Sequence, residues 1–251
     1  MEVLGIDVGA SGIKGALVDI ETGEMLTERF RIPTPDPATP KSVTRVIREI
    51  IDHYKWNGPV GCGFPTSIKN GICLTESNLD EKWIGVNTEE YFEKHTGLPF
   101  KVLNDADAAA LCEMRFGAGV GHNGFVLVIT VGTGLGSGAF FNGELIPNFE
   151  LGQLYYKKYK KIEHYAANSV RKDKAMSFKK WGKRFNNFLK YVELILSPDL
   201  YIIGGGASKY MEEFEAYIDV NTPHITASSL NEAGIIGAAM AAESLVRSNI
   251  K

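Results

Sequence analysis

Asp7, Gly9, Ser11, Gly12 and Lys14 fall within eight residues and bring together a carboxylate, two glycines, a hydroxyl and a cation. Backbone N–H groups in glycine turns form anion-binding concavities, and a carboxylate beside them suits Mg²⁺, so this set holds the parts of a phosphate and Mg²⁺ site. It lacks the GxxxxGK[ST] spacing of a P-loop, and a plain glycine β-turn would leave the same trace. A second turn, Gly132-Thr133-Gly134-Leu135-Gly136, repeats the flexible backbone with a hydroxyl. Gly204-Gly205-Gly206 follows an apolar run and suits either close approach of a phosphate or a strand-to-helix turn. Between the two hairpin turns lies Leu103-Asn104-Asp105-Ala106-Asp107, where strand-forming residues give way to a helix. Asp105 is placed there like a general base, and Asn104 can both donate and accept toward a polyhydroxylated ligand. Either residue would serve equally well as the cap of the alanine-rich helix that follows. Glu150 and Gln153 add acceptors and donors suited to hydroxyl groups.

These residues need elements to hold them. Residues 3–8 read as a buried strand and 13–20 as its partner across the 9–12 turn, and Phe125–Phe141 reads as a second hairpin of the same kind. Thr39-Pro40 makes a cap and first helical position, followed by Val43, Val46, Ile47, Ile50 and Ile51 at helical spacing. Strands are expected at 60–63, near Val102 and at 200–203, and helices at 105–116 and from Ser177, with Trp181, Phe185, Phe188 and Val192 on one face. A single small-residue helix is expected over 234–246. Two similar glycine hairpins, each followed by mixed strands and helices, suggest two related α/β lobes.

The 251 residues carry 27 Lys+Arg against 30 Asp+Glu, a net charge of −3 that excludes a general nucleic-acid binder or an acidic tail protein. The distribution is lopsided: Lys157 to Lys190 holds twelve basic residues against Glu163 and Asp173, a local +10. Along the helix from Ser177, Lys179, Lys180, Lys183 and Arg184 fall largely off the apolar stripe and form a charged face. Such a face suits an extended polyanion, or is simply solvated. No stretch has the length and composition of a membrane span, and the opening residues lack a secretory signal, so a cytoplasmic protein with no membrane partner is expected. Cys62, Cys73 and Cys112 are too widely spaced for a CxxC zinc site, and the five histidines form no HxxxH pair.

Taken in order, these segments resemble the sugar kinases of the ROK family, within the actin/hexokinase/Hsp70 superfamily, and most of all its polyphosphate glucokinase branch. Asp7, Gly9, Ser11, Gly12 and Lys14 match the first phosphate motif, and Gly132, Thr133, Gly134 and Gly136 the second. Asn104-Asp105 matches the family's Asn-Asp, and Glu150-Leu151-Gly152 the start of its ELGH motif. Asn78, within Ser77-Asn78-Leu79-Asp80, resembles the glucose-contacting loop, and 196–206 with Gly204 and Gly205 the C-terminal signature. Two departures are visible: the zinc-binding CxCGxxGC run is absent, so no zinc site is expected, and Gln153 stands where the motif has histidine.

The resemblance implies two RNase H-like lobes with a cleft between them. The expected division is 1–103, completed by a C-terminal helix at 237–251, and 104–236 for the sugar and dimerisation lobe. It further implies phosphoryl transfer from polyphosphate, ATP or both to the 6-hydroxyl of glucose or a related hexose. Asp105 would be the catalytic base; Asn78, Asn104, Glu150, Gln153 and Glu163 would hold the sugar. Asp7 would place Mg²⁺, directly or through water, beside Gly9, Ser11, Gly12, Lys14, Gly132, Thr133, Gly134, Gly204 and Gly205 at the donor phosphates. Lys179, Lys180, Lys183 and Arg184 would receive a polyanion, and a homodimer is expected. The competing readings are an ATP-dependent hexokinase of the same family, a weakly catalytic sugar or polyphosphate binder, and a type III pantothenate kinase.

Overall fold

The computed structural model describes residues 1–228 and 232–248. The chain forms two compact units, one built from Met1–Cys112 with the segment from Glu232 onward, the other starting at Glu113.

In the first unit, β1 (Glu2–Val8) and β2 (Ile13–Asp19) form the expected hairpin, with Asp7 opposite Lys14 and Ile6 opposite Gly15. Two short strands, β3 (Glu24–Met25) and β4 (Phe30–Ile32), both pair with β2. Helix α1 (Pro40–Tyr54) begins as predicted, with Thr39 Oγ1 accepting from the Ser42 amide and Pro40 at its start. It buries Val43, Val46, Ile47, Ile50 and Ile51. β5 (Val60–Phe64) joins β1 in parallel, and a small hairpin of β6 (Ile68–Lys69) and β7 (Ile72–Cys73) follows. Helix α2 (Thr88–Thr96) leads into β8 (Phe100–Asn104), parallel to β5, and α3 (Asp105–Phe116) starts where β8 ends. The strand order is β3-β2-β1-β5-β8.

The second unit repeats that path. β9 (Phe125–Val131) and β10 (Leu135–Phe141) form an antiparallel hairpin, extended by β11 (Glu144–Ile146). After α4 (Glu163–Ala166), α5 (Asn168–Asp173) and α6 (Phe178–Leu196), β12 (Leu200–Gly204) adds to β9 in parallel; after α7 (Met211–Phe214), β13 (His224–Thr226) adds to β12. Its order, β11-β10-β9-β12-β13, is that of the first sheet. An antiparallel hairpin continued by parallel strands, occurring twice, is the RNase H-like architecture expected from the sequence. The second core centres on α6: Trp181, Phe185, Phe188, Leu189 and Val192 are fully buried, and Ser177 caps the helix through the Lys180 amide.

The C-terminal segment belongs to the first unit, and here the sequence reading needs correction. Instead of one helix there are two, α8 (Ala233–Ala241) and α9 (Glu243–Ser248), broken at Ala242. Helix α8 lies on β1 and β5, where a Cβ at Gly5 or Gly61 would collide with the carbonyl oxygens of Ile235 or Ala238. Small residues on both surfaces allow that approach. No helix among the described residues is long and apolar enough to cross a membrane.

Candidate active site

In parallel sheets, ligands bind beyond the carboxyl ends of the strands. In the first unit that edge carries the predicted chemistry. Asp7 pairs with Gly63, and Gly63 with Leu103, so Asp7 and the start of α3 stand at the same end of one sheet with β5 between them. Gly63 contributes only backbone there; a Cβ on it would lie 3.8 Å from Asp105 Cα and 3.8 Å from Gly234 O. Strands are about 4.8 Å apart, which sets the backbones bearing Asp7 and Asp105 on the order of 10 Å from one another.

The Gly9–Gly12 turn is closed by the Gly9 amide donating to Gly12 O at 3.1 Å, and Thr34 Oγ1 donates to Gly9 O. Asp7 is flanked by Lys14, whose Nζ donates to Oδ2 at 3.0 Å, and by the start of α8, where a Cβ at Gly234 would lie 3.2 Å from the carboxyl carbon. Asp7 Oδ1 accepts no hydrogen bond within the described residues.

Asn104 is buried, and both ends of its amide are used. Oδ1 accepts from the Ala106 and Asp107 amides at 2.8 and 3.2 Å, capping α3, while Nδ2 donates to Thr66 O at 3.2 Å. The capping role weighed from the sequence is therefore filled by Asn104, which leaves Asp105 as the first residue of α3 and half-buried. Asn78 is exposed on a loop fixed by its neighbours: Ser77 Oγ accepts from the Leu79 amide, and Asp80 caps the turn Glu81–Trp83. Trp83 is buried and donates its indole N–H to Ala38 O at 2.9 Å.

In the second unit, the Gly132–Gly136 turn gathers the other sugar candidates. The Gly132 amide donates to Gly134 O at 3.0 Å, and Ser169 Oγ donates to Thr133 O at 2.6 Å. The Glu150–Gln153 segment is held against β10: Ser137 Oγ accepts from the Leu151 amide at 3.0 Å and donates to Phe149 O, while Gly152 packs on Leu135 O. Glu163 reaches the same turn from α4. Its Oε2 accepts from the Leu135 amide at 3.4 Å and would lie 2.6 Å from a Cβ at Gly134. Glu163 and the segment that carries Glu150 thus meet at one glycine turn, although twelve residues separate the two carboxylates in sequence. Glu150 is half-buried and Gln153 exposed. Gln153 can hydrogen-bond a hydroxyl but, unlike histidine, cannot become charged.

Gly204 pairs with Thr130, and Gly205 has φ of 77° with its Cα against Val131, where a Cβ would lie 2.6 Å from the backbone nitrogen. Gly205 is thus required for close packing on β9 at the base of the second turn. In the basic segment, Lys179, Lys180 and Lys183 are exposed on α6. Arg184 is instead turned over the Tyr165 ring, 4.8 Å from its centroid, with Nη1 donating to Tyr165 O; Lys190 Nζ pairs with Asp219 at 2.8 Å. Among the described residues no three His, Cys, Asp or Glu side chains gather as a metal cluster, and the three cysteines are buried and form no disulfide.

Sequence reasoning missed the groups that join these motifs. Arg31 bonds the first turn, Ser137 ties Glu150's segment to β10, Ser169 braces the second turn, and Trp181 holds the end of α4. Each acts across a strand or between elements, so none has a local sequence signature.

The twin RNase H-like sheets, with glycine turns and acidic residues at their carboxyl ends, define the actin-like class of phosphotransfer fold. The profile of the ROK family matches residues 3–148, and the chain belongs to that family. The polyphosphate glucokinase of Mycobacterium tuberculosis (strain CDC 1551 / Oshkosh) is 42% identical over 238 residues, 94% of this chain and 89% of the relative. The polyphosphate glucokinase of Mycobacterium leprae is 39% identical over 238 residues, 94% of this chain and 73% of the relative. Among solved structures, the inorganic polyphosphate/ATP-glucomannokinase of Arthrobacter sp. strain KM matches with a TM-score of 0.90 and 39% identity, covering 98% of this chain and 99% of its own. The ROK family glucokinase of Streptomyces griseus, solved with glucose and AMPPNP, shares the fold at 24% identity and a TM-score of 0.79, over 95% of this chain and 98% of its own.

Proposed function

We propose that this protein is a phosphotransferase that moves a phosphoryl group from polyphosphate to the 6-hydroxyl of glucose, with ATP as a further donor. The observation that carries this is the sheet edge of the first unit, where the phosphate-type turn with Asp7 and the strand-to-helix junction with Asp105 are separated only by the bare backbone of Gly63. That gap suits a phosphoryl group between a donor held at one strand and a hydroxyl activated at the other. The named relatives support the donor and the sugar.

Asp105 takes the proton of the attacking hydroxyl, and Asn104 fixes Asp105 by capping α3. Glu150, Gln153 and Glu163 hold the sugar hydroxyls, with Asn78 a further contact. The backbone amides of Gly9, Ser11, Gly12, Gly132, Thr133 and Gly134 meet phosphate oxygens. Gly204 and Gly205 support the second turn from beneath. Since phosphoryl transfer is catalysed mainly by positioning and charge stabilisation, these roles account for most of the chemistry.

Mg²⁺ is typically held by one or two carboxylates plus phosphate oxygens and water, and a single Asp7 with Oδ1 left open at a phosphate turn fits that pattern. When bound, the ion offsets charge on the donor phosphates. Lys179, Lys180 and Lys183 present an exposed cationic face to a long polyanion, and the engaged Arg184 is the weakest member of that set. The assembly we propose is a homodimer, supported by Leu194 and Ile195, which are 80% and 53% exposed on α6. Three buried cysteines outside any disulfide suit a reducing, cytoplasmic setting.

A coupled glucose-6-phosphate assay comparing polyphosphate with ATP across several hexoses tests the proposal. Turnover of glucose with polyphosphate is expected; no transfer from either donor to any hexose would refute it.

A further inference from the structure

Cross-strand pairing sets Asp7 opposite Lys14 and Lys14 opposite Arg31. Directly opposed residues of antiparallel strands project to one face, so these three side chains form a row across β1, β2 and β4 beside the Gly9–Gly12 turn. Within the row the two cations differ. Lys14 is tied to Asp7 at 3.0 Å, with side chains 26% and 18% exposed, so its charge is offset by its neighbour. Arg31 has no carboxylate within ion-pairing distance among the described residues. Its Nη2 donates to Ser11 O at 2.6 Å, and its guanidinium covers Gly12 so closely that a Cβ there would lie 2.5 Å from Nε and 2.6 Å from Cζ. That bond uses one of five N–H donors, and the side chain is exposed.

We propose that Arg31 is the donor-binding cation of the first turn, its guanidinium gripping phosphate oxygens of polyphosphate or ATP, while Lys14 chiefly holds Asp7 in place. The inference rests on the phosphotransferase reading and deepens it. A planar guanidinium matches phosphate oxygens bidentately, which an ammonium does not. Its anchorage on Ser11 O orders it before the donor arrives, lowering the entropy cost of binding. It also gives Gly12 a purpose that the motif alone does not reveal: any side chain at that position would displace Arg31 from the turn. Ser11 in turn contributes its carbonyl as well as its hydroxyl.

The test uses Arg31→Gln and Arg31→Lys in the full chain. Binding of tripolyphosphate is measured by calorimetry without sugar, and steady-state KM is measured for polyphosphate, ATP and glucose. Loss of a charged hydrogen-bonded contact is expected to weaken tripolyphosphate binding and raise both donor KM values about tenfold or more in Arg31→Gln, leaving glucose KM within about twofold. Arg31→Lys should recover part of the loss. Wild-type tripolyphosphate affinity in Arg31→Gln would overturn the inference while leaving the kinase reading intact. A larger loss of tripolyphosphate binding in Lys14→Met than in Arg31→Gln would overturn it as well. Absence of transfer by the wild-type protein would defeat the kinase reading alone, because the calorimetry scores Arg31 independently.

Discussion

The indole N–H of Trp181 is shared between the carbonyl oxygens of Ala166 and Ala167, at 3.0 and 3.1 Å. Ala166 ends the single turn of helix that Glu163 begins, so a fully buried side chain on α6 fixes the position of a carboxylate on the second glycine turn. Trp181 is therefore a positioning residue. Trp181→Phe keeps one aromatic ring but loses the second ring and the N–H, leaving a void and two buried carbonyls without this donor; the lost hydrogen bond alone costs about 1–3 kcal/mol. The expected result is a lower melting temperature together with a several-fold higher glucose KM and a smaller change in kcat. A drop in stability with unchanged glucose KM would separate Trp181 from the sugar site.

Asp105→Asn preserves size and the cap supplied by Asn104, so the fold should survive by circular dichroism and melting temperature. Without a carboxylate to take the hydroxyl proton, kcat should fall at least about 10²-fold. Near wild-type turnover in this variant would remove Asp105 from the chemistry.

The exposed lysines of α6 make a different kind of prediction, because charges in water act over a distance set by salt. The Debye length is about 8 Å at physiological ionic strength. Reversing Lys179, Lys180 and Lys183 to Glu should raise KM for long-chain polyphosphate, flatten its dependence on added salt and leave KM for ATP nearly unchanged. An equal effect on both donors would point to a general disturbance of the unit instead of a polymer track.

Alkaline stability follows from three buried groups. Burial pushes the Cys73 thiol up to about 12 from an ordinary 9.0, raises Cys62 further, and raises the Tyr201 hydroxyl, which donates to Leu189 O at 3.0 Å. Above pH 9 the unfolded thiols lose protons that the folded ones keep, so stability is present below that pH and declines above it, by about 1.4 kcal/mol per pH unit per thiol. Tyr201 joins above about pH 10. Melting temperature should fall steeply between about pH 9 and 11, and less steeply in Cys62→Ala/Cys73→Ala. An identical slope in that double variant would show that other groups control the decline.

What could be read from the sequence was local. The Thr39-Pro40 and Ser177 caps, both glycine hairpins and the junction at Asp105 depend on residues within a few positions of one another, and all are found where their chemistry places them. The break at Ala242 was hidden because small residues continue through it. The use of Gly205 was ambiguous because packing on Val131 and approach of a phosphate both demand glycine. Arg184 looked solvated because Tyr165, which occupies it, lies 19 positions away. Arg31 went unnoticed for the same reason: its partners, Ser11 and Gly12, sit across a sheet, and register is invisible in a linear string.

The helix that covers Gly5 and Gly61 leaves the ribosome long after the strands that carry them. Some 120 residues separate Cys112 from Glu232, which at ordinary rates of synthesis is about 6–24 s of translation. Throughout that interval the face of the first sheet that carries Gly5, Gly61 and Val3 lacks the helix that covers it in the finished fold. The nascent protein must keep that surface from foreign strands until α8 arrives. The same delay means that Asp7 acquires its neighbour Gly234 only after the whole second unit has been made, so the phosphate turn is completed long after its own residues are synthesised.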